Sequence, residues 1–512
     1  MGKVWLVGAG PGDPGLLTQS GKAALDAADT VIHDRLVSEE ILWGIPAGVH
    51  LINAGKFPYK HPISQEEINR LMLAEAREGK RVVRLKGGDP FLFGRGGEEM
   101  LFLAAEGIPF EVIPGVSSAL AVPASAGIPV THRGTSAGVH IITWHGKDGG
   151  VPAPETLKAI AQAGGTLVIL MGAAALRRDM GERLVEAGFA QETPAAVIES
   201  GTTPHQRVWI GALQGLAEAA DFSNQSDILS TRRLSVTQPP TLVAVGAVCS
   251  LGEAFCQTKA GTDRALQGRR IVITRPEPQN GELCRKIRSL GGEAIPFPCI
   301  KTVPSCKITD RACLEAGRYR WLLFTSAAGA GIFFDRYLQG GGDFRLLGGC
   351  RFAALGPATA EALSKYGFIP DFVPTVYNGR SLGEGLAERI ALREKALVIC
   401  PEKSAPRLFE CLGEKGIPFD KLAVYDTVPC EGGAAAREVI ENGHFDFVFF
   451  TSPSTVAAFA EAFPAVKLSE ITALCIGEPT SIRAREFGMT AHTAAEAAVD
   501  SMCRLAAELS PH

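Results

Sequence analysis

Cysteine is missing from the first 248 residues; all twelve cysteines lie from Cys249 onward, which hints at two joined genes rather than one domain. There is no Cys-x-x-Cys pair and no Cys/His spacing of a metal-binding kind, so no metal is expected. No run of about 18 apolar residues exists, which excludes a membrane-spanning helix and predicts no membrane partner. The opening MGKVWLVGAGPGDPG has only a few apolar residues before glycines and Asp13 interrupt it, and does not read as a signal peptide. A cytoplasmic chain with reduced thiols is therefore expected. Charge of one sign is also lacking: 51 basic against 55 acidic residues give a net charge of −4, which argues against a nucleic-acid partner held by bulk charge. Room remains for a local basic pocket that takes an acidic small molecule. Aromatics are sparse at 7%, whereas 58 glycines and 32 prolines suit an α/β protein with many strand-to-helix turns. With 46% hydrophobic and 21% charged residues, extensive disorder is excluded. At about 150 residues per domain, the length suggests about three compact units.

Short apolar strands alternate with glycine turns and helical stretches from residue 4: VWLVG (4–8), TVIHD (30–34), RVVRL (81–85), FEVIP (110–114), VHIITW (139–144), TLVILM (166–171), AAVIE (195–199) and TLVAVG (241–246). This predicts α/β structure with largely parallel pairing. The polar stretch 223–240 reads as a loop, and 249–267 as a helix end and linker. A second α/β pattern starts at RRIVITRP (269–276) and contains a repeat. WLLFTSAAGAGIFF (321–334) resembles FVFFTSPSTVAAFA (447–460), and AALGPATAEALSKYGF (353–368) resembles LCIGEPTSIRAREFGM (474–489). Two copies of one strand–turn–helix plan predict two similar lobes, with a cleft lined by Thr and Ser at the strand ends.

GAGPGDPG fails as a dinucleotide fingerprint: the third glycine position is Asp13, and Pro11 removes a backbone donor. It reads either as a turn against a flat ligand or as a plain strand-to-helix turn. LKGGDPFLFGRGGEE (85–99) is more specific. Its glycines would let a ligand lie against the backbone, and Arg95 could clamp a carboxylate.

GAGPGDPGLLT, VIHDRLVSEEIL, GKFPYKHPISQEEIN, VVRLKGGDPFLFGRGGEE, VIPGVSSALAVPASAGIPVTHR and LVILMG occur in that order. Over about residues 2–248 the chain resembles the tetrapyrrole methylase family, specifically uroporphyrinogen-III C-methyltransferase. The resemblance implies a two-lobed methylase fold, S-adenosyl-L-methionine as methyl donor, and a homodimer. By motif, Pro11, Gly87, Gly88, Asp89, Leu92, Ser117, Ser118, Met171, Gly201 and Thr241 would line the donor site. Asp34 and Lys56 match the family's proton acceptor and donor. Read as residues alone, Asp34 could instead cap a helix or turn, and Lys56 could instead bind a substrate carboxylate. Arg84, Arg95, His132 and Arg133 are candidates for the rim of an acidic substrate, each also readable as a surface or structural residue. The sequence departs from the family at His33, Ser125 and Leu170, where tyrosine is usual, and at Trp144, where glycine is usual. Lost aromatics would loosen packing around substrate or donor, with Trp144 filling part of the space.

The repeated FTS turns, the GPxT-like turns, ITRPEPQ and LAVYDTVP (422–429) resemble uroporphyrinogen-III synthase. That resemblance implies a two-lobed flavodoxin-like fold over 268–509, with one lobe from 268–303 plus 431–509 and the other from 304–430. It also implies cyclisation of hydroxymethylbilane. Candidate substrate-binding residues are Thr325, Ser326, Thr359, Thr451, Ser452 and Thr480, with Arg275 and Lys403 as charge partners. Tyr425 is the candidate to assist loss of the hydroxyl, or else a core tyrosine. Ser and Thr after a strand are also routine helix caps.

Together the two halves read as a bifunctional enzyme. The second makes uroporphyrinogen III, and the first methylates it twice to precorrin-2, for sirohaem or cobalamin. Two alternatives stay open: a different corrin acceptor, and a second half that only binds or senses tetrapyrrole.

Overall fold

A computed structural model describes residues 2–55, 63–144, 151–176, 179–222, 240–259, 264–276, 280–305, 308–391, 393–404 and 406–510. The chain divides into two compact units, Met1–Pro298 with Glu431–His512, and Cys299–Cys430.

The first sheet is wholly parallel. It comprises β1 (Lys3–Gly8), β2 (Thr30–His33), β3 (His50–Asn53), β4 (Arg81–Lys86) and β5 (Phe110–Ile113), in the order β3-β2-β4-β1-β5. Its central strands β1 and β4 are mostly buried because helices cover both faces, with Arg84 and Lys86 as buried cations on β4. The second sheet holds β6 (Val139–Thr143), β7 (Thr166–Leu170), β8 (Pro194–Glu199), β9 (Arg207–Ala212) and β10 (Thr241–Val245), in the order β6-β7-β10-β8-β9. Here the expectation of parallel pairing is corrected. Only β6 and β7 run parallel, while β10 is antiparallel to both β7 and β8, and β8 to β9. The loop between β8 and β9 is too short for a helical crossover, which forces the reversal. The stretch 223–239 lies outside the described residues.

After β11 (Arg270–Ile273) and β12 (Glu293–Pro296) the chain enters the second unit. There β13 (Ile300–Pro304), β14 (Trp321–Phe324), β15 (Arg351–Ala354), β16 (Ala396–Pro401) and β17 (Phe419–Pro429) form a sheet in the order β13-β17-β16-β14-β15. The sequence-based lobe boundary at 304 falls at the end of β13. That strand pairs antiparallel with β17 and so belongs with Cys299–Cys430. Phe324, Phe334, Phe344, Phe352, Tyr366 and Phe368 cluster in its core as stacked and edge-to-face pairs at centroid separations of 4.4 to 6.5 Å. Back in the first unit, β18 (Phe447–Phe450), β19 (Thr472–Cys475) and β20 (Thr490–Thr493) complete an all-parallel sheet of order β12-β11-β18-β19-β20. This 2-1-3-4-5 order is the flavodoxin-like winding.

The described cysteines are free thiols, most of them buried. Burial pushes Cys249 up to about 12, which makes it unreactive. Among the described residues no helix is long and apolar enough to cross a membrane, and no acidic, His or Cys group could hold a metal ion.

Candidate functional site

The carboxyl end of the first sheet is built from backbone. A Cβ on Gly115 would stand 2.2 Å from the Gly88 carbonyl oxygen and 2.6 Å from Gly8 Cα, and one on Gly8 would stand 2.6 Å from the Gly88 oxygen. Three strand ends thus converge where no side chain fits. Gly10 and Gly88 bridge their backbones, Gly88 N donating to Gly10 O at 2.8 Å and Gly10 N to Gly88 O at 3.2 Å. Asp89 stitches the third element to them. Its Oδ1 accepts from Phe91 N (2.8 Å) and Leu92 N (3.3 Å), and its Oδ2 from Gly115 N (3.1 Å). Asp89 therefore shapes the turn through its carboxylate. Pro11, Gly87 and Gly88 lie on the same backbone floor, and Leu92 packs against the core under helix Ser118–Ser125. Ser117 caps that helix by accepting from Ala119 N, and Ser118 is its first residue.

A second wall comes from the loop between β8 and β9. Gly201 packs on Val122, and a Cβ on Gly12 would stand 2.8 Å from Thr203 Cγ2. Asp13 N donates to Thr202 Oγ1 at 3.3 Å. Ser200 (φ 47°) and Thr202 (φ 67°) hold left-handed backbone that costs non-glycine residues energy. Gln206 holds the loop, its Oε1 accepting from Thr202 N (2.7 Å) and Ser125 Oγ (2.6 Å). Met171 (φ 56°) is exposed at the end of β7, and Thr241 starts β10. Sequence reasoning missed Thr202, Thr203 and Gln206, although ESGTTPHQ carries the turn residues of a short loop.

Below the floor lies a network of four charges. Arg84 Nε donates to Glu99 Oε1 at 3.0 Å, and its Nη2 donates to Asp34 Oδ1. Lys86 Nζ donates to Glu99 Oε1 at 2.9 Å and sits 3.8 Å from Asp34 Oδ2. Arg84, Lys86 and Glu99 are at most 2% exposed, whereas the Asp34 side chain is 32% exposed. Two cations and two anions balance, and only Asp34 reaches solvent. Arg84 as part of a substrate rim is thereby corrected. It is buried because Asp34, just after β2, and Glu99, in the first turn of helix Gly96–Ala105, consume its charge. Lys86 and Glu99 were missed, since no periodicity marks a glutamate that turns inward from the first turn of a helix. Burial, aided by Arg84, pushes Lys86 below its ordinary value, while Glu99 and Asp34 oppose that.

The other rim candidates are exposed. Arg95 pairs with Glu98 at 2.7 Å, His132 Nδ1 contacts Thr135 Oγ1 at 3.2 Å, and Arg133 is open to solvent. Lys56 lies outside the described residues. Of the departures, Ser125 bonds the loop through Gln206, and Leu170 packs on the same sheet face as helix Ser118–Ser125. Trp144 is corrected: it is buried on the opposite face, against Leu157, Ile169 and Met180, so it fills core rather than donor space. His33 is buried beside Asp34, and burial pushes its imidazole below the ordinary value, with Arg84 adding to this and Asp34 opposing it.

In the second unit, Tyr425 OH donates to Ser326 Oγ at 2.9 Å, Ser326 also accepts from Gly329 N at 3.0 Å as a helix cap, and Thr325 Oγ1 donates to Ile399 O at 3.2 Å. Burial raises Tyr425 although Ser326 opposes it, so the phenol keeps its proton. Lys403 is exposed. In the first unit, Ser452 caps helix Pro453–Ala462, Thr451 precedes it, and Arg275 follows β11. Thr359 and Thr480 are corrected as substrate contacts. They are buried in the first turns of their helices, at 5% and 3% exposure.

Residues 3–217 match a family described as Tetrapyrrole (Corrin/Porphyrin) Methylases, and residues 281–504 one described as Uroporphyrinogen-III synthase HemD. Over 507 residues the chain is 39% identical to the porphyrin biosynthesis protein HemD of Ruminiclostridium josui, covering 98% of this chain and 97% of that protein. The first half is 44% identical over 262 residues to the S-adenosyl-L-methionine-dependent uroporphyrinogen III methyltransferase of Methanosarcina barkeri, covering 51% of this chain and 98% of that protein. Among solved structures, the uroporphyrin-III C-methyl transferase of Thermus thermophilus complexed with S-adenyl homocysteine is similar at 38% identity, covering 49% of this chain and 99% of that chain, with a TM-score of 0.40.

Two outcomes follow from the charge network. Glu99→Gln leaves Arg84 and Lys86 with surplus buried positive charge and should cost about 3–5 kcal/mol in denaturant unfolding of the first half. His33 has a folded pKa below its unfolded value of about 6.5, so the unfolded state binds more protons below that pH. Stability should hold above about pH 6.5 and fall as pH drops toward the folded value, and His33→Phe should flatten that slope in unfolding midpoints measured across pH.

Proposed function

The chain belongs to the family of the HemD porphyrin biosynthesis protein, a tetrapyrrole methylase joined to a uroporphyrinogen-III synthase, and from that premise we propose that both halves are catalytic. The second half cyclises hydroxymethylbilane to uroporphyrinogen III. The first methylates that product twice with S-adenosyl-L-methionine to precorrin-2, toward sirohaem or cobalamin. The observation that carries the reading is Asp34, the one solvent-reaching carboxylate of the buried network, placed beside a backbone floor that excludes side chains.

The floor suits the donor because Gly8 and Gly115 let the strand ends pack backbone against backbone, which keeps side chains away from the carboxyl edge of the sheet, where open parallel sheets bind ligands. When bound, S-adenosyl-L-methionine supplies an electrophilic methyl on a sulfonium. The chain's own tasks are then positional and protolytic. The glycine floor and the Gly201 loop hold the donor against the acceptor, which supplies most of the rate as proximity. An electron-rich pyrrole carbon of the substrate would take that methyl as its bond to sulfur breaks, leaving a neutral thioether and a cationic ring. Loss of a proton restores neutrality, and we assign Asp34, oriented by Arg84, to take it. Arg95, His132, Arg133 and Lys56 are assigned to the substrate's carboxylates, with Lys56 alternatively returning a proton.

For the synthase reaction we assign the protonated phenol of Tyr425, held by Ser326, to assist departure of the hydroxyl as water. Thr325, Thr451, Ser452, Arg275 and Lys403 are assigned to holding the substrate. A homodimer through the first half and a cytoplasmic location belong to the same reading.

Asp34→Asn keeps a partner for Arg84 but cannot take the proton. With authentic uroporphyrinogen III and the donor supplied, it should lower methyl transfer by about 10²–10⁴-fold while S-adenosylhomocysteine binding stays near wild type. Unchanged turnover would remove Asp34 from the chemistry. Failure of the wild-type chain to methylate this acceptor would favour a different corrin.

A further inference from the structure

The edge strand of the flavodoxin-like sheet is joined to the methylase half by a set of polar contacts, most of them partly or fully buried, that the chemistry above does not use. Glu293 on β12 is 8% exposed and accepts from His205 Nε2 and, at 2.7 Å, from Arg270 Nε. Arg270 Nη2 continues to Glu39 at 2.8 Å, and its guanidinium lies 5.4 Å from the Trp43 ring centroid. Glu40, 9% exposed, accepts from Arg288 Nε at 2.8 Å and from the edge-strand amide of Ala294 at 3.0 Å. Gln267 Nε2 donates to Pro204 O at 3.0 Å. The surfaces approach so closely that a Cβ on Gly433 would stand 2.2 Å from the Ile45 carbonyl oxygen.

Both methylase segments gripped here lead to the donor site. His205 and Pro204 close the loop whose Ser200 and Thr202 hold strained left-handed backbone and whose Thr202 and Thr203 touch Gly12 and Asp13. Strained residues persist only where their surroundings over-determine them. Glu39 and Glu40 open helix Glu39–Trp43, just after Asp34, and Ser38 before them donates to Gly12 O at 2.7 Å. One strand of the synthase half therefore braces the donor loop and the segment behind Asp34 at once. Burial raises Glu293, but His205 and Arg270 outweigh it and hold the carboxyl below its ordinary value, as a committed anionic partner requires.

We propose that Glu293, through His205, is a positioning residue for the methyl-transfer site, so that the synthase half completes the methylase donor pocket without touching the donor. This rests on the methylase reading above. Simple domain adhesion would give the same contacts but no dependence of donor affinity on them, so the two are separable by experiment.

The test uses the full-length chain with Glu293→Ala, Glu293→Gln and His205→Gln, the last at a partly exposed position that folding should tolerate. Calorimetry measures S-adenosylhomocysteine binding, and steady-state assays give kcat and KM for the donor. The synthase rate of each preparation reports integrity. Glu293→Ala and His205→Gln should weaken binding and raise donor KM by about five- to thirty-fold, with kcat and synthase rate within about two-fold. Glu293→Gln, which keeps acceptor oxygen but not charge, should fall between. Donor affinity within two-fold of wild type in His205→Gln would overturn the proposal, as would a Glu293→Ala chain whose synthase and methylase activities fall in parallel. A wild-type chain that binds no S-adenosylhomocysteine would remove this inference and the methylase reading together, whereas an unbraced but fully active site would remove this inference alone.

Discussion

Everything in the methylase half depends on the meeting of Gly8, Gly88 and Gly115 without side chains. These residues end or follow β1, β4 and β5; a Cβ on Gly8 or Gly115 would overlap a neighbouring carbonyl or Cα, and Gly88 holds left-handed backbone (φ 67°). The parallel pairing of those strands fixes the convergence, since open parallel sheets place their turns at one edge. Asp89 then locks the convergence by holding two turns through one carboxylate. The glycine turns thus follow from a packing constraint, and the ligand space is what that constraint leaves open.

Electrostatics act one layer below. Arg84, Lys86, Glu99 and Asp34 form a balanced set in which three members are sealed from water, and such sets are costly to break because each loss strands a charge. Their burial fixes the orientation of the one carboxylate that faces the site. The loop that follows Asp34 runs into helix Glu39–Trp43, so the same short segment carries Asp34 on one side and the synthase contact on the other.

Much of this was legible in the sequence, for identifiable reasons. Glycine turns, strand runs and the FTS repeat are local features, and local features survive in one dimension. The parallel first sheet needed only alternation of strand and helix, whereas the flavodoxin-like fold came from the resemblance to uroporphyrinogen-III synthase. Reversal in the second sheet was not visible, because β9 (Arg207–Ala212) reads as a weak half-buried strand and the run before β10 is long and polar. Arg84 looked like a candidate for the substrate rim since its partners stand 50 and 15 positions away in sequence. Trp144 looked like a site residue because a family glycine stands there, yet strand alternation turns it to the opposite face, into the core with Met180. Glu293 and Glu40 gave no signal at all, since a charge that is buried against another domain has no pattern in its own element.

The measurement that tests the account most directly supplies hydroxymethylbilane to the purified full-length chain, with and without S-adenosyl-L-methionine, and identifies the tetrapyrrole formed. Two working halves predict the type III isomer without the donor and precorrin-2 with it. Only the spontaneously arising type I isomer, with no methylated product from either condition, would contradict the account.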